Sequence, residues 1–171
     1  GGFGFELGGP QRINQGFAEK DYVGFDDHYT GAGRRGAGSY GFGGSKEQSV
    51  SWYIFESLVH PPTVFMYDFD KFKSDLHYDS KAKFDKDRFI MKQEFYFSKD
   101  GTKVPIFIAH EKDLVLDGLS PTLLYGYGGF NISEKPYFNK TIPVILENGG
   151  VYAIACIRGG GEYGQDWHSQ G

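Results

Sequence analysis

From residue 50 onwards, the apolar residues of this chain come in short runs that polar and turn-forming residues separate. Two such runs, residues 50–55 and 63–69, are rich in aromatic and β-branched side chains, which favour β-strands. Pro61 and Pro62 lie between them and cannot donate hydrogen bonds to a sheet, so we expect neither strand to include them. The pattern predicts two neighbouring antiparallel strands of an all-β unit.

A charged, turn-rich stretch follows at residues 70–88. Its composition fits a connector between domains and a solvated surface loop equally well. In residues 89–110, two strand-like runs flank Asp100 and Gly101, and Asp-Gly between such runs is a strong hairpin signal. We therefore predict a β-hairpin over residues 89–110.

The C-terminal part carries a strand–helix–strand pattern. Residues 121–125 predict a strand, and apolar residues at helical spacing then predict a helix that ends at Gly149. Pro143 must lie in the first turn, which places the start of the helix near residue 141 or 142. Residues 151–157 form a continuous apolar run, typical of a strand buried on both faces. The pattern predicts a βαβ unit and thus the opening of an α/β sheet, with the hairpin first.

Residues 1–44 differ from the rest, because they hold more than half of the chain's 26 glycines and few aliphatic side chains. Glycine loses much entropy on ordering, and few apolar groups are present to offset that cost. A weakly ordered, low-complexity segment is therefore favoured, with poor edge strands as the alternative. The nearest approach to a Gly-x-Ser-x-Gly nucleophile pattern, around Ser39, falls here, and we do not expect Ser39 to be a nucleophile.

Length and charge limit the possible functions. The 171 residues suffice for one ordinary domain, but the chain does not begin with Met and we expect a fragment of a longer protein. A net charge of -4 argues against nucleic acid or an anionic membrane surface as a partner. No apolar stretch reaches the ~18 residues that a membrane span needs. The single cysteine, Cys156, lies in an apolar run, which favours a reducing compartment and an inert, buried thiol.

The first candidate site is a glycine-rich run after the third predicted strand of the α/β sheet. Tyr127, Gly128 and Gly129 lie between that strand and the helix. In α/β-hydrolases, the loop at this position supplies a donor to the oxyanion hole, and loss of one such donor costs roughly 3 to 4 kcal/mol of barrier. The hydroxyl of Tyr127 could itself be the donor. The plain alternative is a glycine turn with a tyrosine packed on it.

A second glycine-rich run, residues 159–164, also follows a strand and satisfies Gly-x-Gly-x-x-Gly. It indicates a dinucleotide-binding turn only weakly, because the preceding strand is not the first of its sheet. None of the five histidines has a metal-site partner at helical spacing, so no metal or cofactor is expected. The chain also offers no complete Ser-His-Asp triad.

Three motifs, in order along the chain, resemble the prolyl oligopeptidase family. They are Phe-Tyr-Phe-Ser-Lys-Asp-Gly-Thr-Lys-Val-Pro at 95–105, Leu-Tyr-Gly-Tyr-Gly-Gly-Phe-Asn at 124–131 and Ile-Arg-Gly-Gly-Gly-Glu-Tyr-Gly at 157–164. The resemblance runs from about residue 45 to residue 171. Related oligopeptidases share the Arg-Gly-Gly-Gly-Glu run but usually lack the tyrosine-glycine run, which favours the prolyl-specific enzymes.

The resemblance implies a cytosolic, monomeric serine endopeptidase that cleaves short proline-containing peptides after proline, without a cofactor. Its α/β-hydrolase domain is capped by a seven-bladed β-propeller. By motif match, Tyr127 would be the oxyanion-hole tyrosine and Phe130 would line the pocket for the substrate proline. Residues 45–82 would be the last propeller strands and residues 83–171 the start of the hydrolase domain, whereas residues 1–44 match poorly.

Two expectations about activity follow. The family's catalytic serine, aspartate and histidine would lie beyond Gly171, so the chain alone is expected to be inactive. The alternative is a non-catalytic interaction protein in which the glycine- and aromatic-rich residues 1–44 drive self-association. A coding sequence that continues past residue 171 into a glycine-flanked serine would distinguish the two.

Overall fold

The computed structural model describes residues 38–43 and 47–171, which form two four-stranded sheets. The first sheet is antiparallel, in the order β1-β2-β3-β4, with β1 at Gly38–Gly43, β2 at Val50–Ser57, β3 at His60–Asp68 and β4 at Lys73–Tyr78. The second has the order β5-β6-β8-β7, with β5 at Phe89–Phe97, β6 at Lys103–Glu111, β7 at Thr122–Tyr127 and β8 at Val151–Cys156. Helix α1 spans Thr141–Glu147, helix α2 spans Gln165–Ser169, and a 3-10 turn covers Lys86–Arg88.

The prediction that Pro61 and Pro62 interrupt the first sheet is wrong. Strand β3 begins at His60 and includes both prolines. Its pairing with β2 shifts register between the Phe55 and Ser57 pairs, which marks a bulge beside the prolines. Proline is tolerated at the start of a strand or at a bulge, because there its missing N–H removes no regular ladder hydrogen bond.

Part of the predicted connector also belongs to the first sheet. Residues 73–78 form β4, which pairs with β3 as an edge strand and is largely exposed. Its polar sequence carries no apolar alternation, so a pattern search cannot detect it. In the glycine-rich segment, residues 38–43 form the edge strand β1. For these residues the structure agrees with the edge-strand alternative rather than with the favoured weakly ordered segment. The remainder of residues 1–44 lies outside the described residues.

The hairpin prediction is confirmed. Strands β5 and β6 pair without a register shift from Phe89↔Glu111 to Phe97↔Lys103. In the connecting turn, the Gly101 amide donates to the Ser98 carbonyl at 2.9 Å, and Gly101 has a φ of +83°. Glycine adopts that left-handed conformation without the steric cost a side chain would add.

The βαβ prediction is confirmed as well. Strand β7 runs parallel to β8, in register from Thr122↔Val151 to Tyr127↔Cys156, and α1 connects them. Helix α1 buries Ile142 and Leu146 and ends at Glu147; Gly149, two residues further on, has a φ of +75°. Strand β8 lies between β6 and β7 and is buried along nearly its whole length. Within the described part of the chain, no helix has the length and apolar character needed to cross a bilayer.

The core of the second sheet includes one residue from the first. Leu58, at the tip of the β2–β3 hairpin, is completely buried. Its cluster otherwise consists of residues from the second sheet and α1: Phe89, Met91, Phe107, Ala109, Ile142, Leu146, Ile154 and Cys156. Beside it, the Glu56 carboxylate accepts a hydrogen bond from the Phe138 amide at 3.0 Å. The hairpin tip therefore joins the two sheets.

Candidate active site

Both glycine-rich runs of the sequence lie at one edge of the second sheet. Strands β7 and β8 are neighbours and parallel, with Tyr127 paired to Cys156 at the last position of each strand. The carboxyl ends of parallel strands form one edge, where α/β proteins commonly place their ligand sites. The run after Tyr127 and the run after Cys156 therefore meet.

The two runs are in direct backbone contact. A Cβ on Gly128 would overlap the Arg158 carbonyl oxygen and lie 2.5 Å from Ile157 Cγ1. A Cβ on Gly159 would overlap the carbonyl oxygen of Gly128, and one on Gly161 would lie 2.7 Å from the Asn131 carbonyl oxygen. Only glycine allows backbones to approach this closely.

Hydrogen bonds fix the second run in place. The Gly159 carbonyl accepts from the Asn131 amide at 3.2 Å, and Nδ1 of His168 lies 2.7 Å from the same oxygen. The Gly159 amide donates to the Trp167 carbonyl at 3.0 Å. Gly159 thereby connects the loop after β7 to helix α2. The glycines of residues 159–161 face this loop, so their backbone is not open to a dinucleotide. This argues against the dinucleotide-binding interpretation.

Tyr127 ends β7 and is half-buried. Its ring folds over the following turn, since a Cβ on Gly129 would lie 3.4 Å from the tyrosine hydroxyl and 3.5 Å from the ring carbon that bears it. A phenolic hydroxyl can both donate and accept a hydrogen bond. The structure thus places a donor group directly above the glycine turn.

Phe130 and Asn131 carry backbone strain. Their φ angles are +53° and +57°, in the left-handed region that costs a non-glycine residue about 1 to 2 kcal/mol. Phe130 is also 85% exposed. The ring is therefore accessible to a ligand at the sheet edge, although Phe72 in the β3–β4 turn also combines a positive φ, +52°, with 56% exposure.

An acidic group that sequence reasoning left without a role lies behind this loop. Glu162 Oε1 accepts a hydrogen bond from the Glu134 amide at 2.8 Å. Burial raises the pKa of Glu162, and burial together with the charge of Glu162 raises the pKa of Glu134. The available signal was the position of Glu162 at the end of the Arg-Gly-Gly-Gly-Glu motif, but the motif does not reveal its partner.

Arg158 ties the site to the hairpin turn. Its Nη1 lies 2.6 Å from Asp100 Oδ2. The Thr102 amide and side chain, followed by Arg158, lower the pKa of Asp100 to about 2. The carboxylate therefore stays ionised and paired across the acidic range.

The sequence also singled out Cys156 and Ser39 as groups without a catalytic role. Burial, together with the nearby charges of Glu162 and Glu134, raises the pKa of the Cys156 thiol to about 12, which matches the inert cysteine expected from the sequence. Ser39 lies in β1, but its side chain is outside the described residues. Over residues 38–43 and 47–171, no group of three or more histidine, cysteine or acidic side chains could hold a metal ion.

Comparisons with known proteins give a consistent result. Over 131 residues, the chain is 47% identical to the prolyl endopeptidase of Elizabethkingia miricola, covering 77% of this chain and 19% of that protein. A solved prolyl endopeptidase structure is 41% identical with a TM-score of 0.73, covering 82% of this chain and 20% of that one.

A second solved structure is prolyl oligopeptidase B from Galerina marginata, bound to a 35mer hydrolysis and macrocyclization substrate. It is 33% identical with a TM-score of 0.72, covering 79% of this chain and 20% of that one. No protein-family model matches the chain. The chain spans about a fifth of the length of the curated prolyl endopeptidases that it resembles.

Proposed function

Because this chain belongs to the prolyl oligopeptidase family, we propose that it forms part of a serine endopeptidase that cleaves short peptides after proline. The observation that carries the proposal is the loop after β7, in which a tyrosine hydroxyl lies above a glycine turn at the sheet edge. This is the position from which α/β-hydrolases supply an oxyanion-hole donor.

Tyr127 is the proposed oxyanion donor. During acyl transfer, negative charge develops on the carbonyl oxygen of the scissile bond, and a fixed hydroxyl stabilises that charge. Its half-buried position and its contact with the Gly129 turn restrict its rotation. A donor held in place before the reaction needs little reorganisation as the charge forms.

Phe130 is the proposed wall of the proline pocket. Its ring is almost entirely exposed, and its backbone is held in the left-handed region. The pyrrolidine ring of a substrate proline is apolar, and contact with an aromatic face removes apolar surface of both groups from water. The proposal assigns substrate binding to Phe130 and charge stabilisation to Tyr127.

The two sheets support a division into two domains. A propeller blade is a four-stranded antiparallel sheet, and β1 to β4 have that arrangement. We assign this sheet to the end of a propeller and β5 to α2 to the start of a hydrolase domain. Since β1 pairs with β2, the first unit extends back to at least Gly38, beyond the boundary at residue 45 expected from the sequence.

The remaining assignments rest on the family. The catalytic serine, histidine and aspartate are expected outside these residues, so we expect the 171-residue chain alone to be inactive. A cytosolic location and a monomeric state likewise remain predictions of the resemblance. The interaction-protein alternative depends on residues 1–44, of which the structure describes only 38–43, and no observation favours it.

The test is the turnover of a chromogenic proline-containing peptide by the full-length enzyme that carries this segment. Tyr127→Phe should lower kcat roughly 100- to 1,000-fold, as loss of an oxyanion donor does, with a much smaller change in KM. Tyr96→Phe is the matched control, because Tyr96 is a partly exposed tyrosine on β5, and it should be unchanged. An unchanged kcat in Tyr127→Phe would refute the role of Tyr127. A wild-type enzyme that does not cleave after proline would refute the proposed function.

A further inference from the structure

The carboxyl group of Glu162 lies between the loop after β7 and helix α2. Its Oε1 accepts the hydrogen bond from the Glu134 amide at 2.8 Å, and its Oε2 is fully buried. The side chain folds back over its own glycine run, because a Cβ on Gly160 would overlap Oε2 and lie 2.7 Å from the Ile132 carbonyl oxygen. Because Gly160 has no side chain, the Glu162 carboxyl group can occupy this space.

The hydrogen bond from Glu134 is one of several contacts that hold the loop after β7, beside the Phe138 amide bonded to Glu56 and Cys156 Sγ at 3.9 Å from the Glu134 carbonyl oxygen. Residues 128–140 contain neither helix nor strand, and the turn carries strained φ angles at Phe130 and Asn131. Within it, the Ile132 amide donates to the Gly129 carbonyl at 3.0 Å, and the Asn131 amide donates to Gly159. The bond to Glu162 is the next attachment along the chain, so it fixes the far end of the turn.

The indole of Trp167 completes the surroundings of this group. Its Nε1 and Glu162 Oε2 are both buried without a partner that satisfies full hydrogen-bond geometry within the described residues. The indole nevertheless lowers the pKa of Glu162, as a nearby donor does, although burial has the larger and opposite effect. The carboxyl group is thus enclosed between a backbone donor on the loop and an indole on α2.

We propose that Glu162 is a positioning residue, whose buried acceptor oxygen tethers the loop after β7 and thereby places Tyr127 and Phe130 together. The proposal deepens the proposed function and rests on it. The hydrogen bond from the Glu134 amide requires only an acceptor at the position of Glu162 Oε1. Because burial disfavours the charged form of this side chain, a neutral acceptor of the same shape should serve there as well.

Steady-state kinetics of the full-length enzyme tests the functional part. Glu162→Leu cannot accept a hydrogen bond, and it should lower kcat and raise KM together, each by about tenfold. Phe130 lies on the released loop, and Tyr127 directly precedes that loop with its ring over the Gly129 turn. Glu162→Gln retains an amide oxygen and should restore most of both values. A general loss of folded enzyme would lower only the apparent kcat and leave KM unchanged.

Hydrogen exchange of the same proteins, followed by mass spectrometry, tests the tether without reference to activity. In Glu162→Leu, the segment 129–134 should exchange about tenfold faster than in the wild type, while the β5–β6 hairpin stays unchanged. Asp166→Asn is the control, since Asp166 is an exposed acid on α2, and it should alter neither segment.

The outcomes separate the two proposals. If the wild type does not cleave after proline but Glu162→Leu releases segment 129–134, the proposed function fails and the tether stands. If the wild type is active and Glu162→Leu changes neither exchange nor kinetics, or Glu162→Gln is as defective as Glu162→Leu, the tether is refuted. Should Glu162→Leu not fold, exchange in the wild type decides: the Glu134 amide must be protected at least about tenfold beyond the amides of the exposed residues Val115 and Leu116.

Discussion

Phe130 is an apolar residue whose side chain is not buried. An apolar ring of this size is normally buried, yet it is 85% exposed, on a backbone with a φ of +53°. The left-handed backbone costs free energy, and a ring this exposed recovers little of that cost through packing. The ring is therefore accessible to a substrate, as its proposed place in the proline pocket requires.

Phe130→Ala should therefore separate binding from stability. We expect the thermal midpoint of the full-length enzyme to stay within about 1 °C, because an exposed ring contributes little to the folded state. The KM for a proline-containing peptide should rise about tenfold, since the apolar contact with proline is lost. Phe97→Ala, at another largely exposed phenylalanine at the end of β5, should change neither quantity. An unchanged KM in Phe130→Ala would remove Phe130 from the pocket.

At the scale of elements, the site consists of two loops that hold each other. The loop after β7 carries the proposed working residues, and the glycines after β8 pack against its backbone. Hydrogen bonds through Gly159 and Glu162 add attachments between the same two segments. The Arg-Gly-Gly-Gly-Glu run is thus a support for the tyrosine-glycine run, which explains why two motifs distant in sequence serve one site.

The contact between these loops predicts unequal effects of two neighbouring glycine substitutions. Gly128→Ala places a methyl group against Arg158 and Ile157, and we expect a loss of about 1 to 3 kcal/mol in the free energy of unfolding. In Gly126→Ala, the new Cβ would lie 3.5 Å from the Ala155 carbonyl oxygen, an ordinary contact that should cost less than about 0.5 kcal/mol. Urea unfolding of the two variants measures the difference. Equal midpoints would show that the loops can separate at no cost.

The hydrogen bonds from Thr102 to Asp100, together with the ion pair between Asp100 and Arg158, predict a pH dependence at the same scale. The pKa of Asp100 is lowered from 3.8 to about 2. A lowered pKa in the folded state adds stability above the unfolded-state pKa, and that stability is lost as the pH falls through the folded-state pKa. Asp100→Asn should therefore lower the thermal midpoint at pH 7, and the difference from the wild type should shrink as the pH falls from about 5 towards 3.

A matched control for that experiment is Asp117→Asn. Asp117 also accepts a backbone hydrogen bond, from the Leu119 amide at 2.9 Å, but it lies in an exposed loop and is not paired with Arg158. Both variants lose one negative charge, so a general charge effect would appear equally in each. A pH-independent difference between Asp100→Asn and the wild type would contradict stabilisation by the ionised Asp100 carboxylate and its partners Thr102 and Arg158.

For the whole molecule, the important contact is the insertion of the β2–β3 hairpin tip into the second sheet. Leu58 is completely buried among residues of that sheet and α1. Glu56 adds its hydrogen bond to the Phe138 amide, and Nζ of Lys86 lies 3.1 Å from Nε2 of His60. These contacts hold the first sheet against the second sheet, which carries the candidate site.

Leu58→Ala should weaken this connection. Removal of a fully buried leucine side chain costs about 2 to 5 kcal/mol, so we expect a clear fall in the thermal midpoint and faster proteolysis between the sheets, at residues 79–85. Leu76→Ala is the control, because Leu76 lies on the edge strand β4 and is 58% exposed; it should stay near the wild type. Equal proteolysis rates for the two variants would show that the tip does not join the sheets.

The sequence by itself determined those features whose cause is local. Asp-Gly between two strand-like runs specified the β5–β6 hairpin, and the apolar run at 151–157 specified the buried strand β8. Pro143 placed the start of α1, and Gly149 marked the turn just after its C-terminal end. In each case the signal is a turn conformation or a hydrophobic period within a few residues, and such preferences act before any long-range contact forms.

Only the tertiary structure decided the features that join distant residues. Pro61 and Pro62 enter β3 because a bulge in its pairing with β2 accommodates them, and the polar β4 forms because β3 offers it an edge. The tyrosine-glycine run was recognisable as a candidate site, but its dependence on Gly159 and Glu162 was not. That dependence comes from parallel strands β7 and β8 ending side by side, a contact between residues some 30 positions apart that no local pattern encodes.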